Sequence, residues 1–132
     1  MRSRIIPGPG DVWMCDFAGY IEPEIVKRRR VIVVSPRNPG AQIVLVVPVS
    51  TTAPRSLRAI HVHFPPNAYP CFGEVDAWAK ADLLAHVRLE RLDRVKVRGL
   101  GYLRTVKLKP EDYRKVQQAV LHALGLGELT LP

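Results

Sequence analysis

Cysteine is nearly absent from this chain of 132 residues: Cys15 and Cys71 stand far apart, with no metal-ligand companions at short spacing. No disulfide framework or zinc site is readable from them. No apolar run approaches the roughly 20 residues needed to span a bilayer. Arg2, Arg4, Pro7 and Pro9 leave no room for the apolar core of a signal peptide, so no membrane partner is expected and a reducing cytoplasm is the expected setting. Internal repeats and low-complexity segments are lacking too. Acids are in short supply, with 12 Asp and Glu against 20 Lys and Arg, a formal charge of +8 and a pI near 10.0. That excess points to polyanionic partners, either nucleic acid or an acidic protein segment, and says nothing about fold. The length suits one domain, residues 1–132, able to bury a core without staples.

The chain is organised around Lys27-Arg28-Arg29-Arg30-Val31-Ile32-Val33-Val34-Ser35-Pro36. Four consecutive β-branched residues predict a strand buried on both faces, because branching costs little χ1 freedom in a pleat and apolar neighbours lie above and below. A rigid strand with guanidinium groups at its entrance is a candidate phosphate site; a solvated rim guarding a sheet edge is the alternative.

A basic leader, residues 1–9, precedes it and Gly10 closes the Pro-Gly-Pro-Gly turn. Asp11 to Phe17 alternates, with Trp13, Cys15 and Phe17 on an inward face, which makes Cys15 a small core residue rather than a nucleophile. Ala18 to Lys27, with Gly19, Pro23, Glu22 and Glu24, is longer than a hairpin requires and is a candidate flap. Gln42 to Val49 reads as a second buried strand. Pro48 cannot donate to a ladder, so the strand should bend or become an edge there and present Ser50-Thr51-Thr52 at an irregular end.

Ala59 to Phe64 alternates Ile60, Val62 and Phe64 against His61 and His63, which are read as solvent-side residues because no third metal ligand is evident. A loop through Pro65 and Gly73 follows, and extended structure resumes from Glu74. In Trp78-Ala79-Lys80-Ala81-Asp82 the spacing puts Lys80 and Asp82 on one side of a strand. The charged stretch Val87 to Val97 mixes a turn with short extended pieces, and Tyr102 to Leu108 alternates as a last strand. Pro110-Glu111-Asp112 opens a helix over 109–124, with Tyr113, Val116, Val120 and Ala123 as its apolar stripe and Gly125 as its cap. Six or seven strands and one helix predict a mainly β fold: a small, strongly bent antiparallel sheet or partly open barrel covered by a C-terminal helix.

Over nearly its whole length the chain resembles the MazF/PemK family of type II toxin–antitoxin endoribonucleases. The blocks that carry the resemblance are Gly10-Asp11-Val12-Trp13, Arg29 to Pro36, Val46-Val47-Pro48-Val49-Ser50-Thr51 and Trp78-Ala79-Lys80-Ala81-Asp82, in the family's order. Leu89-Glu90-Arg91-Leu92 and the closing helix also fit. The resemblance implies an SH3-like barrel of the MazF/CcdB type, a homodimer, and metal-independent cutting of single-stranded RNA at short sequence motifs with no cofactor. It also implies neutralisation by an antitoxin with an acidic, disordered tail. Arg29 matches the catalytic arginine, Ser50 and Thr51 the hydroxyls, and Lys80 and Asp82 a basic-x-Asp pair that is catalytic in some members. The family's proline after the arginine is Arg30 here, which leaves Arg29 and Arg30 both open as the group aimed at phosphate. Glu22 or Glu24 stands in for the flap's glutamate.

Cutting RNA without a metal uses the neighbouring 2′-hydroxyl as nucleophile. The chemistry needs a base, for which Asp82 is the candidate, positive charge from Arg29 or Arg30, and hydrogen bonds from Ser50 and Thr51. Lys80 or His86 would protonate the leaving oxygen. Tyr20 is the candidate for stacking a base, and Arg28, Arg30 and Arg88 for tracking the backbone. Two other readings stay open: a non-catalytic basic barrel that binds nucleic acid, and a gyrase-poisoning toxin of the same fold.

Overall fold

The computed structural model describes residues 6–104, 106–129 and 131. Most of the expected leader lies outside them, as does Thr105 of the expected last strand.

The strands are β1 (Asp11–Cys15), β2 (Arg29–Val33), β3 (Ile43–Ser50), β4 (His61–Phe64), β5 (Ala77–Lys80), β6 (Ala85–Arg88), β7 (Leu92–Asp93), β8 (Lys96–Val97), β9 (Gly101–Tyr102) and β10 (Val106–Lys107), followed by helix α1 (Pro110–Ala123). Eight of them make one antiparallel sheet ordered β10-β1-β2-β3-β5-β4, with β6 on β3 and β7 on β1; β8 and β9 pair separately.

Two strands are shared, and that sharing curls the sheet. β1 pairs through Asp11 and Val12 with β10, then through Met14 and Cys15 with β7. β3 pairs through Ile43 to Val46 with β6, then through Val49 and Ser50 with β5. Val47 and Pro48 fall between the two registers of β3. The missing N–H of Pro48 therefore sits where the strand changes neighbour, so the strand has an open edge there but continues to Ser50. The result is a half-barrel of antiparallel strands with one C-terminal helix.

The apolar run of β2 is buried on both faces, as its composition requires. Val31 and Val33 join Trp13, Cys15, Phe17, Val44, Val46 and Val87 on one side. Ile32 joins Val47, Val49, Val62, Phe64 and the helix residues Val116 and Ala119 on the other. Each such aliphatic side chain contributes about 1.5–3 kcal/mol on burial.

Several boundaries differ from expectation. Tyr102 to Leu108 is not one strand but the pieces β9 and β10, because β9 pairs with β8 whereas β10 pairs with β1. Extended structure resumes at Ala77, not Glu74. On α1 the buried small residue is Ala119, whereas Ala123, in the last turn, is exposed. The loop after β4 is no plain connection. Tyr69, Cys71 and Phe72 are buried in it, and Phe64, Tyr69 and Phe72 form a triad with centroids 5.0 to 5.9 Å apart. The Tyr69 hydroxyl donates to Asp112 at 2.5 Å and accepts from the Lys109 N–H at 2.9 Å, tying this loop to the first turn of α1.

The last residues of the expected leader are built in: Pro7 and Gly8 are buried, and the Gly8 N–H donates to Asp11 at 2.7 Å. The Asp11 carboxylate is 2% exposed and lies 3.6 Å from Lys107 and 3.9 Å from Arg37. Those cations are solvent-rich, so their pairing is worth little. Leaving the buried Gly8 N–H unpaired is the larger effect. Asp11→Ala is therefore expected to cost about 1–3 kcal/mol, measured as a lower urea midpoint; an unchanged midpoint would contradict it.

Candidate active site

The alternation of β2 sends the two arginines to opposite faces. Arg29 has the phase of Val31 and Val33, whereas Arg30 has the phase of Ile32 and leaves by the opposite face. Arg30 Nη1 donates to the Cys71 carbonyl at 3.0 Å, and its guanidinium stands 5.8 Å from the Phe72 centroid. Burial lowers its pKa, with smaller influences from Cys71 and Arg29. Arg30 therefore contacts the loop after β4, on the face away from Arg29. Arg29 opens into a cavity of about 400 Å³ lined also by Ser50, Thr52, Lys80, Leu83 and residues 22–27 of the flap.

Strand register builds the floor of this cavity. Arg30 pairs with Val49, which sets Arg29 opposite Ser50 one step on. Ser50 pairs with Trp78, Trp78 with His63, and Lys80 with His61. Paired residues share a face, so Arg29, Ser50, Trp78 and His63 form a row across four strands, with Lys80 and His61 beside it. Ser50 is 7% exposed, and its Oγ accepts from the Thr52 N–H at 3.0 Å. That bond leaves the hydroxyl proton to donate into the cavity.

The flap has internal structure. The Ile21 N–H donates to the Glu24 carboxylate at 2.8 Å and the Glu24 N–H to the Ile21 carbonyl at 2.9 Å. Gly19, with φ of 94°, takes a turn that a side chain would strain. Arg91 Nη1 donates to the carbonyls of Asp16 and Ala18 at 2.9 and 2.7 Å. Glu24 is thus spent on the flap's own turn, whereas Glu22 has no hydrogen bond or ion pair among the described residues.

Other expected site residues fall elsewhere. Asp82 does not share a strand face with Lys80, because β5 ends at Lys80 and Asp82 sits in the 3-10 turn Ala81–Leu83. It lines an adjoining cavity of about 180 Å³ with Phe17, Tyr20 and Glu24. Tyr20 is half-buried rather than open: its hydroxyl donates to the His86 carbonyl at 3.0 Å, the Phe17 ring meets it edge-on at 5.2 Å, and Arg91 stands 5.1 Å from its centroid. Thr51 is exposed and does not line the cavity; Thr52 does. His86 and Arg88 oppose Leu45 and Ile43, whose phase on β3 is the reverse of that of Ser50, so both project from the other face. Arg88 there pairs with Glu90 at 2.9 Å. Arg28 is exposed just before β2.

His61 was not singled out by sequence reasoning, which placed it on the solvent side of its strand. Its Nδ1 accepts from the Arg58 N–H at 3.0 Å, so the neutral ring carries its proton on Nε2. Desolvation lowers its pKa, and the Asp82 carboxylate pulls in the opposite sense. Only the pairing with Lys80, invisible without the register, could have found it. Cys15 and Cys71 are buried free thiols pushed up to about 12 by desolvation, as core residues should be. No group of three His, Cys, Asp or Glu side chains positioned to hold a metal occurs among the described residues, and no described helix is long and apolar enough to cross a membrane.

Residues 8–124 match the model of a family described as the PemK-like, MazF-like toxin of type II toxin–antitoxin systems. The chain is 30% identical over 146 aligned positions to the YifN protein of Escherichia coli, covering 95% of this chain and 96% of that one. Among solved structures it is similar to a mycobacterial endoribonuclease in complex with its cognate antitoxin, with TM-score 0.64, 25% identity and coverage of 96% and 99%. MazF of Deinococcus radiodurans shares the fold at TM-score 0.70 and 18% identity, over 92% of this chain and 98% of that one.

Proposed function

We propose that this chain, which belongs to the PemK-like, MazF-like family of type II toxin–antitoxin toxins, is an endoribonuclease that cuts single-stranded RNA at short motifs without a metal. The observation that carries this reading is the convergence of Arg29, Ser50 and Lys80 on one flap-covered cavity. Two cations and a hydroxyl donor around a space of that size suit a phosphodiester whose charge rises in the transition state. The similarity to a mycobacterial endoribonuclease supports the same reading, and its complex with an antitoxin supports a partner of that kind here. A formal charge of +8 suits an acidic antitoxin segment that orders on binding. Homodimerisation and a cytoplasmic setting belong to the same proposal.

In the reaction the 2′-oxygen attacks phosphorus, the bond to the 5′-oxygen breaks, and a 2′,3′-cyclic phosphate and a 5′-hydroxyl result. Arg29 offsets the dianionic phosphorane, and Ser50 donates to a phosphate oxygen. Thr52, which lines the cavity, takes the place expected for Thr51 as second donor. Asp82, which lines the adjoining cavity, takes the 2′-hydroxyl proton; His61 is unsuited to that task, because its Nδ1 already accepts from the Arg58 N–H and its Nε2 carries the proton. Lys80, which faces the cavity, protonates the leaving oxygen.

The deciding experiment is to incubate the purified protein with a long single-stranded RNA in excess EDTA and to map the ends. Discrete cuts with cyclic-phosphate termini are expected. RNA left intact, with binding that weakens steeply as salt rises, would identify a nucleic-acid-binding barrel instead.

A further inference from the structure

We propose that the ring pair His63–Trp78 is a second RNA subsite, a platform on which an unpaired base stacks next to the phosphate held at Arg29 and Ser50; the proposal rests on the ribonuclease reading above. The two rings are stacked, with centroids 5.3 Å apart and an interplanar angle of 27°. His63 Nε2 lies 2.7 Å from Asp76 Oδ1, a bond that orients the imidazole over the face of the indole. The platform is reachable: the His63 and Asp76 side chains are 42% and 47% exposed, and β4, which carries His63, ends the order of the sheet.

Its position assigns the ligand. Ser50 is the register partner of Trp78, and Trp78 of His63, so the rings continue the floor of the cavity on the same face. Adjacent strands are about 4.8 Å apart, which puts His63 roughly 10 Å from Ser50. A chain whose phosphate sits at Arg29 and Lys80 would carry a neighbouring base onto this pair. Flat aromatic faces beside a cationic groove are the general means of holding single strands, since every base has a π-face. Tyr20, the aromatic residue expected for this task, is occupied by Phe17, Arg91 and the His86 carbonyl.

The test uses the full-length protein and a short single-stranded RNA carrying 2′-O-methyl groups throughout, which offers no 2′-hydroxyl nucleophile. Binding is followed by anisotropy of a labelled oligonucleotide, and the platform by tryptophan emission. Trp13 is 2% exposed within the core, so a ligand-induced change reports Trp78. Saturating oligonucleotide is expected to quench the emission. His63→Ala should weaken binding on the order of 10-fold, the range for loss of one base–aromatic stack, and His63→Phe, which keeps a ring, should restore most of it. Binding seen by anisotropy with unchanged emission, or equal affinity for wild type and His63→Ala, would overturn the platform and leave the ribonuclease reading standing. Emission that shifts with protein concentration alone would assign the rings to self-association and overturn it too. Absence of any anisotropy change, together with uncut natural RNA, would overturn both readings.

Discussion

Arg29→Ala is expected to slow cleavage of single-stranded RNA by about two to three decades, the loss typical of one preorganised donor to a developing charge. Arg29 is half-buried at the mouth of the cavity and its strand neighbours Val31, Ile32 and Val33 carry the packing, so the thermal midpoint should hardly move. The informative control is its neighbour in sequence. Arg30→Ala removes a guanidinium that hydrogen-bonds the Cys71 carbonyl, an interaction of a charged donor worth about 1.5–3 kcal/mol. That variant should be less stable while each folded molecule turns over RNA at nearly the wild-type rate. Single-turnover cleavage and thermal melts on the two variants separate the roles. Equal loss of activity in both would mean that the alternation of β2 does not decide which arginine meets phosphate, and near-normal turnover in Arg29→Ala would remove it from the chemistry.

Phe72→Ala should have the largest effect on stability, about 3–5 kcal/mol. Phe72 is 1% exposed, its ring lies 5.0 Å from that of Phe64 and 5.7 Å from that of Tyr69, and Arg30 rests against it. Little around it can collapse into the space, because the neighbouring rings of Phe64 and Tyr69 are themselves buried. Against a typical domain stability of about 5–15 kcal/mol the loss is a large fraction, and the thermal midpoint should fall on the order of 10 °C or more. A fall equivalent to less than about 1 kcal/mol would show that the loop after β4 is loosely packed, contrary to its buried triad.

Much of the candidate site was legible in the chain. Arg29, Ser50 and Lys80 do meet in one cavity, and Ala18 to Lys27 does supply one wall of it. The misplaced residues share a cause. Asp82 was assigned by extending the period of a strand past its end at Lys80. His86 and Arg88 were assigned by charge, with no knowledge that β6 pairs with β3 at Ile43 to Val46, in the phase opposite to Ser50. Tyr20, a stacking candidate by its place in the flap, instead has Arg91, distant in sequence, packed against its ring.

The sequence by itself determined what depends on near neighbours along the chain. The four β-branched residues after Arg30 demanded two buried faces, the period of two put Arg29 and Arg30 on opposite sides, and Pro110 with two acids opened the helix. Only the tertiary structure decided which of those sides is the cavity, that Ser50 stands beside Trp78 and His61 beside Lys80, and that a proline-rich loop carries part of the core. The physical reason is that side-chain phase is a local consequence of backbone geometry. The identity of the neighbouring strand and its register follow instead from how β1 and β3 each divide one edge between two partners, a choice made by burial across the whole chain.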